Sequence, residues 1–149
     1  MKINAAFWDT SALVPLCCRQ PATNVANRLA RQYRKIEAWW GTVVEAQSAL
    51  ARLLREKQIN DVEFQHAMMR LHQLHQSWSE ILPTEEVRDL AGTLLIKHNL
   101  HAADALQLAA AFVWCDGKPR KRPFICFDVR LVEAAQAAGF EVYPSGLQD

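Results

Sequence analysis

The sequence predicts an α/β fold in which helices cover both faces of a parallel sheet. Short runs that are apolar throughout, such as Ile3 to Trp8 and Pro123 to Phe127, alternate with stretches of helical periodicity. A strand buried on both faces shows no polar alternation, and strands of that kind joined through helices run parallel. With 149 residues, half of them apolar, the chain can close one hydrophobic core and is too short for two ordinary domains, so residues 1–149 are expected to form one domain.

Ile3 to Trp8 is the first strand, ended by Asp9, and from Thr10 the period turns helical. Pro21 opens an amphipathic helix over Ala22 to Tyr33, in which Val25, Leu29 and Tyr33 recur among arginines. Ile36 to Trp40 is the second strand. Gly41-Thr42 punctuates it, and Val43, Ala46, Leu50, Leu53 and Leu54 form the stripe of a helix reaching about Lys57. A more polar helix spans about Asp61 to Ser77. Trp78 to Leu82 is a short third strand stopped by Pro83, and Thr84-Glu85-Glu86 opens a helix to about Asn99. Ala102 to Trp114 is nearly all alanine and leucine apart from Asp104 and Gln107, the composition of a buried helix. Pro123 to Phe127 is the fourth strand, ended by Asp128. Val129 to Ala138 is a helix closed by Gly139, and Phe140 to Tyr143 is the last strand.

Composition narrows the class further. No low-complexity run or internal repeat occurs, so disorder has no compositional support. The opening MKINAAFWDTSALVPL carries Asp9 inside its apolar stretch, where neither a secretory signal nor a membrane span would hold a charge, and a cytoplasmic protein is expected. Cys17, Cys18, Cys115 and Cys126 form no CxxC pair and no metal-finger spacing, and read as reduced thiols, mostly in the core. The net charge of +1 conceals two basic clusters, Arg28 to Lys35 and Lys118 to Arg122, so it carries no argument for nucleic acid by itself.

Four acids share one kind of place. Asp9 and Asp128 each stand between an apolar strand and a helix, at the carboxyl edge where open α/β sheets bind ligands. Glu45 and Asp104 lie in first turns of helices. Capping and the helix dipole alone favour acids there by about 0.3–2 kcal/mol each, and Glu45 has capping-box spacing from Thr42. Asp104 resists that account, because it opens a helix apolar on most of its circumference, where an unpaired carboxylate is costly. If the four converge, their mutual repulsion calls for a cation, and oxygen-only ligands select Mg²⁺ or Mn²⁺. Ions so held serve hydrolysis of a phosphodiester: they acidify an attacking water and balance charge on the leaving oxygen.

The segments Phe7-Trp8-Asp9-Thr10-Ser11-Ala12-Leu13-Val14, Thr42-Val-Val-Glu45-Ala-Gln-Ser-Ala-Leu50, Leu100-His-Ala-Ala-Asp104-Ala-Leu-Gln-Leu-Ala109 and Phe124-Ile-Cys-Phe-Asp128-Val-Arg-Leu131 follow one another through almost the whole chain. In that order they resemble the acidic motifs of the PIN-domain family, in particular its VapC-like type II toxin ribonucleases. The resemblance implies a three-layer α/β/α sandwich and a metal-dependent endoribonuclease acting on RNA. It implies Asp9, Glu45, Asp104 and Asp128 as the catalytic residues and the ligands of one or two Mg²⁺ or Mn²⁺ ions, supported by the Ser11 hydroxyl. It also implies a cognate antitoxin and a homodimer, both engaging the helical hairpin from about Val44 to Ser77. Two residues depart from the family pattern. Cys126 stands where many relatives have Ser or Thr, removing a hydroxyl near the metal, and His101 stands where an arginine is common.

Several other features carry weaker signals. His66, His72 and His75 share a polar helix with no carboxylate to complete a ligand set, and read as solvated. Trp39, Trp40 and Trp78 suit core or dimer packing, while Met68, Met69, Leu71 and Leu74 suit a core or a partner groove. The Lys118 to Arg122 cluster precedes the strand that ends at Asp128, which sets it at the opposite sheet edge from the acids. Arg130 is placed either for phosphate or as a solvated helix residue. Three rival functions use the same features. Phosphotransfer of the receiver or haloacid-dehalogenase kind lacks its usual second acid beside Asp9. A PIN fold kept for binding without turnover and a DNA- or structure-selective nuclease are the other two.

Overall fold

Strands β1 (Ala5–Trp8), β2 (Lys35–Trp39), β3 (Ser79–Ile81), β4 (Pro123–Ile125) and β5 (Glu141–Tyr143) pair in parallel in the order β3-β2-β1-β4-β5. The structure is a computed structural model and describes residues 4–145, so Ile3 of the predicted first strand lies outside the described residues. The helices are α1 (Thr10–Cys17), α2 (Thr23–Gln32), α3 (Thr42–Arg55), α4 (Asp61–Ser77), α5 (Glu85–Lys97), α6 (Ala102–Trp114) and α7 (Val129–Ala138). Every predicted element is present. The strands are shorter than the apolar runs, and Trp40, expected to end β2, lies beyond it and is 51% exposed.

Alternate residues of each strand feed two separate apolar clusters, the consequence of the pleat. Phe7, Trp39, Phe124 and Val142 pack with α5, α6 and α7. Ala6, Trp8, Ile36, Ala38 and Ile125 pack on the other face with α1, α3 and α4. The result is a three-layer α/β/α sandwich, and α6 is buried along most of its length as its composition requires. Leu71 and Leu74 of α4 enter the second cluster and Met68 packs against it, while Met69 is exposed.

Three details depart from expectation or refine it. His75 is not simply solvated: its Nε2 lies 3.2 Å from a Glu80 carboxylate oxygen and its ring packs on Trp78. The basic loop before β4 sits at the amino edge of the sheet, where the Arg122 guanidinium lies 4.2 Å over the Trp114 ring. All four cysteines are free thiols, with Cys18 partly exposed. Among the described residues no helix is long and apolar enough to cross a membrane.

Helix α7 ends at Gly139 in the left-handed region, φ 108°, and a Cβ there would sit 3.3 Å from Pro119 Cγ. Gly139→Ala should therefore cost about 1–2 kcal/mol, read as a lower urea midpoint at unchanged m-value. An unaltered midpoint would mean that the helix end relaxes at no cost in stability.

Candidate functional site

The sheet order sets the location. Strands β1 and β4 are neighbours from which the chain order runs outward in both directions, so their carboxyl ends flank the topological switch point. Asp9 follows β1 and donates its backbone N–H to the Ile125 carbonyl at 3.0 Å, fixing it against the end of β4. Its side chain caps α1: Oδ2 accepts from the Ser11 N–H at 3.1 Å and from the Ser11 hydroxyl at 2.6 Å. Ser11 Oγ in turn accepts from the Phe127 N–H at 2.9 Å, which ties α1 to the β4 exit. Cys126 takes part where a hydroxyl was expected to be missed. Its thiol donates to Asp9 Oδ2 at 3.5 Å, lies 3.6 Å from Ser11 Oγ, and accepts from the Asp128 N–H at 3.4 Å.

Glu45 is held by a different set of bonds. The capping box with Thr42 does not form, since α3 starts from Gly41 with no side-chain cap. Thr42 Oγ1 and Thr10 Oγ1 instead accept from Gln107 Nε2 at 2.9 and 3.0 Å. Thr10 Oγ1 donates to Glu45 Oε1 at 3.1 Å, and Gln107 Nε2 reaches the same carboxylate at 3.3 and 3.4 Å. Gln107 is 1% exposed, so this amide joins α1, α3 and α6 from within. The sequence pattern gives Gln107 and Thr10 no role, and Thr42 only that of a cap. The available signal was one polar side chain, three residues after Asp104, in a helix otherwise of alanine and leucine.

Asp9, Glu45, Asp104 and Asp128 all line one pocket of about 310 Å³, with Ser11, Gln20 and Arg52 among its other walls. Asp104 is partly exposed there and accepts from the His101 N–H at 3.3 Å, which corrects the expectation that it is desolvated. Its helix is buried only beyond the first turn. Asp128 is exposed and caps α7 through the Leu131 N–H at 3.2 Å. Asp9 is the desolvated acid, and Glu45 is half-buried. Arg130 stands outside this pocket, exposed at the start of α7.

The electrostatics follow from that depth profile. Burial raises the Asp9 pKa; the Ser11 and Cys126 bonds oppose the rise and the Asp128 charge adds to it. Burial likewise pushes Glu45 up to about 6, opposed by Gln107 and Thr10 and reinforced by Asp9 and Asp104. None of the four pairs with a cation among the described residues. Nor do three His, Cys, Asp or Glu side chains close into a ready-made metal cage among those residues. Four carboxylates without counterions form an oxygen-only donor set, suited to an ion that keeps its own waters and takes one or two carboxylates, as Mg²⁺ does.

Among solved structures, the Mycobacterium tuberculosis toxin VapC20, described as a Sarcin-Ricin loop cleaving toxin, superposes with a TM-score of 0.67 at 20% identity over 92% of this chain and 97% of that one. The chain has the PIN fold. A toxin-antitoxin complex from Klebsiella pneumoniae matches with a TM-score of 0.63 at 15% identity, over 85% of this chain and 88% of that one. VapBC2 from Rickettsia felis, solved bound to a DNA fragment from its promoter, matches at 0.62 and 12% identity over 93% and 98%. No protein-family model matches the chain, and no curated protein matches it by sequence. On this PIN fold the four acids stand at the switch-point edge of the sheet.

Because folding raises the Glu45 pKa from its ordinary 4.5 to about 6, the native chain holds a proton that the unfolded chain has released between those values. Stability therefore falls as pH rises from about 4.5 to about 6, by roughly 1 kcal/mol once partial exposure is allowed for. Glu45→Gln should lack that component when melting temperatures are followed across the window. Parallel curves for the two proteins would refute the assigned shift. Cys126→Ser should be tolerated, with a melting temperature near that of the parent, because a hydroxyl reaches the same Asp9 oxygen. Unfolding of the variant would show that the larger sulfur is needed for packing.

Proposed function

We propose that the protein is a divalent-metal-dependent endoribonuclease that hydrolyses RNA phosphodiester bonds, and the toxin half of a toxin-antitoxin pair acting in the cytoplasm. The observation that carries this reading is the convergence of four carboxylates, from the starts of four helices, on one pocket at the switch point of a PIN fold. RNA as substrate is supported by the description of VapC20 as cleaving the sarcin-ricin loop, and an antitoxin partner by the toxin-antitoxin complex among the similar structures.

Asp9, Glu45, Asp104 and Asp128 would hold one or two Mg²⁺ or Mn²⁺ ions. A bound ion of this class supplies charge balance at the phosphodiester and an acidified water. The chain's own contribution is division of labour among the acids. Asp9 and Glu45 are fixed, the first by Ser11 and Cys126 and the second by Thr10 and Gln107, so their oxygens keep one geometry. Asp104 and Asp128 are more exposed, which leaves their oxygens accessible from solvent. The α3–α4 hairpin leaves Val44, Val62 and Met69 exposed, which supports a second copy of the chain and an antitoxin as its partners.

The decisive experiment is cleavage of a labelled RNA pool with Mn²⁺ or Mg²⁺, set against an EDTA control and Asp104→Asn. The substitution should abolish cutting while holding or raising the unfolding midpoint, since it removes one of the like charges acting on Glu45. Cutting in EDTA, or by the variant at the parent rate, would end the metal-site assignment. Binding of RNA with no cutting under either metal would favour a PIN fold retained for binding.

A further inference from the structure

Beside the acid pocket lies a second, larger cleft of about 760 Å³, and the two share Asp104 and Asp128 as a common wall. Its other side carries Lys97 and His98 from the end of α5, His101 from the start of α6, and Arg130 from the first turn of α7, with the exposed Glu133 one turn further along α7. An arginine at a helix amino terminus is opposed by the helix dipole, so helix stability does not account for Arg130. Its Nη1 lies 2.8 Å from His101 Nε2. A guanidinium has only donors, so in this contact the imidazole nitrogen is the acceptor. Arg130 thus keeps its full charge and its remaining N–H donors, with its fork steadied by His101.

A pocket of four carboxylates repels a polyanion, and its walls include one basic residue, Arg52. The basic loop Lys118 to Arg122 is at the other edge of the sheet. From these facts we infer that the Arg130–His101–Lys97 cleft is the subsite that grips the phosphodiester backbone of single-stranded RNA next to the acids. Arg130 and Lys97 contact phosphate, and His101 is a positioning residue that acts through Arg130. This rests on the nuclease reading for the identity of the polymer and deepens it by assigning where the strand leaves the acid pocket.

Lys97, His101 and Arg130 are exposed, so substitution there leaves the core intact. The test is fluorescence anisotropy of a labelled single-stranded RNA in EDTA, across a series of salt concentrations, with cleavage in Mn²⁺ followed separately. Arg130→Ala and Lys97→Ala should each weaken binding roughly tenfold at low salt and flatten the log–log salt slope by about 0.7 for each phosphate no longer neutralised. His101→Ala should weaken binding in the parent but add little to Arg130→Ala, and in cleavage the effect should fall on KM rather than kcat. Lys121→Ala should bind as the parent does. Parent-like binding and salt slope in Arg130→Ala and Lys97→Ala, an equal weakening in Lys121→Ala, or no RNA binding by the parent would each overturn the subsite. Binding that depends on the cleft in a protein that never cuts RNA would sink the nuclease reading and leave the subsite standing.

Discussion

The arrangement of this molecule turns on the adjacency of β1 and β4, two parallel strands whose carboxyl ends meet at the point where the sheet order reverses. Parallel strands end at one edge, so α1, α3 and α7, which follow β1, β2 and β4 directly, start there with Asp9, Glu45 and Asp128, while α6 follows α5 and adds Asp104 to the same pocket. The hydrogen bond from Asp9 N–H to the Ile125 carbonyl and that from Phe127 N–H to Ser11 Oγ lock the two strand ends in register. Once they are locked, the starts of α1 and α7 share one edge of the sheet, and α3 and α6 bring Glu45 and Asp104 into the same pocket.

Charge then works against the fold that assembles it. Burial raises the pKa of Asp9 and of Glu45, and the polar groups beneath them offset only part of that rise. Gln107 shows the compromise most plainly. Its amide nitrogen serves Thr10, Thr42 and Glu45, while its Oε1 is buried without a partner among the described residues. An apolar side chain would suit that stretch of α6 better. Trp8 Nε1, one residue before Asp9, is likewise buried without a partner among the described residues, so both exceptions adjoin residues of the acid pocket.

The similar PIN-fold structures share 12–20% of residues with this chain in the three pairs compared above, yet cover most of its length. Such tolerance is expected of a sandwich whose strands need only apolar side chains of suitable volume on both faces. The acid pocket also accommodates substitution around its carboxylates: the Cys126 thiol makes the Asp9 hydrogen bond that a hydroxyl would make, at the longer distance sulfur requires.

Much was legible before folding was considered. Unbroken apolar runs such as Phe124 to Phe127 specify buried parallel strands, Gly139 specifies a left-handed helix end, and an aspartate directly after a strand specifies the ligand edge, because each is a local rule of backbone geometry or solvation. Sequence also sorted the basic loop from the acids, since a strand has two ends. What tertiary structure alone decided is everything that depends on depth and on partners distant in the chain. It made Asp9 the buried acid and left Asp104 partly in solvent, turned Thr42 from a cap into an acceptor for Gln107, and set Arg130 against His101 across 29 residues. Burial and hydrogen-bond partnership are set by how helices from separate parts of the chain stack on the sheet, and no local pattern of residues encodes that stacking.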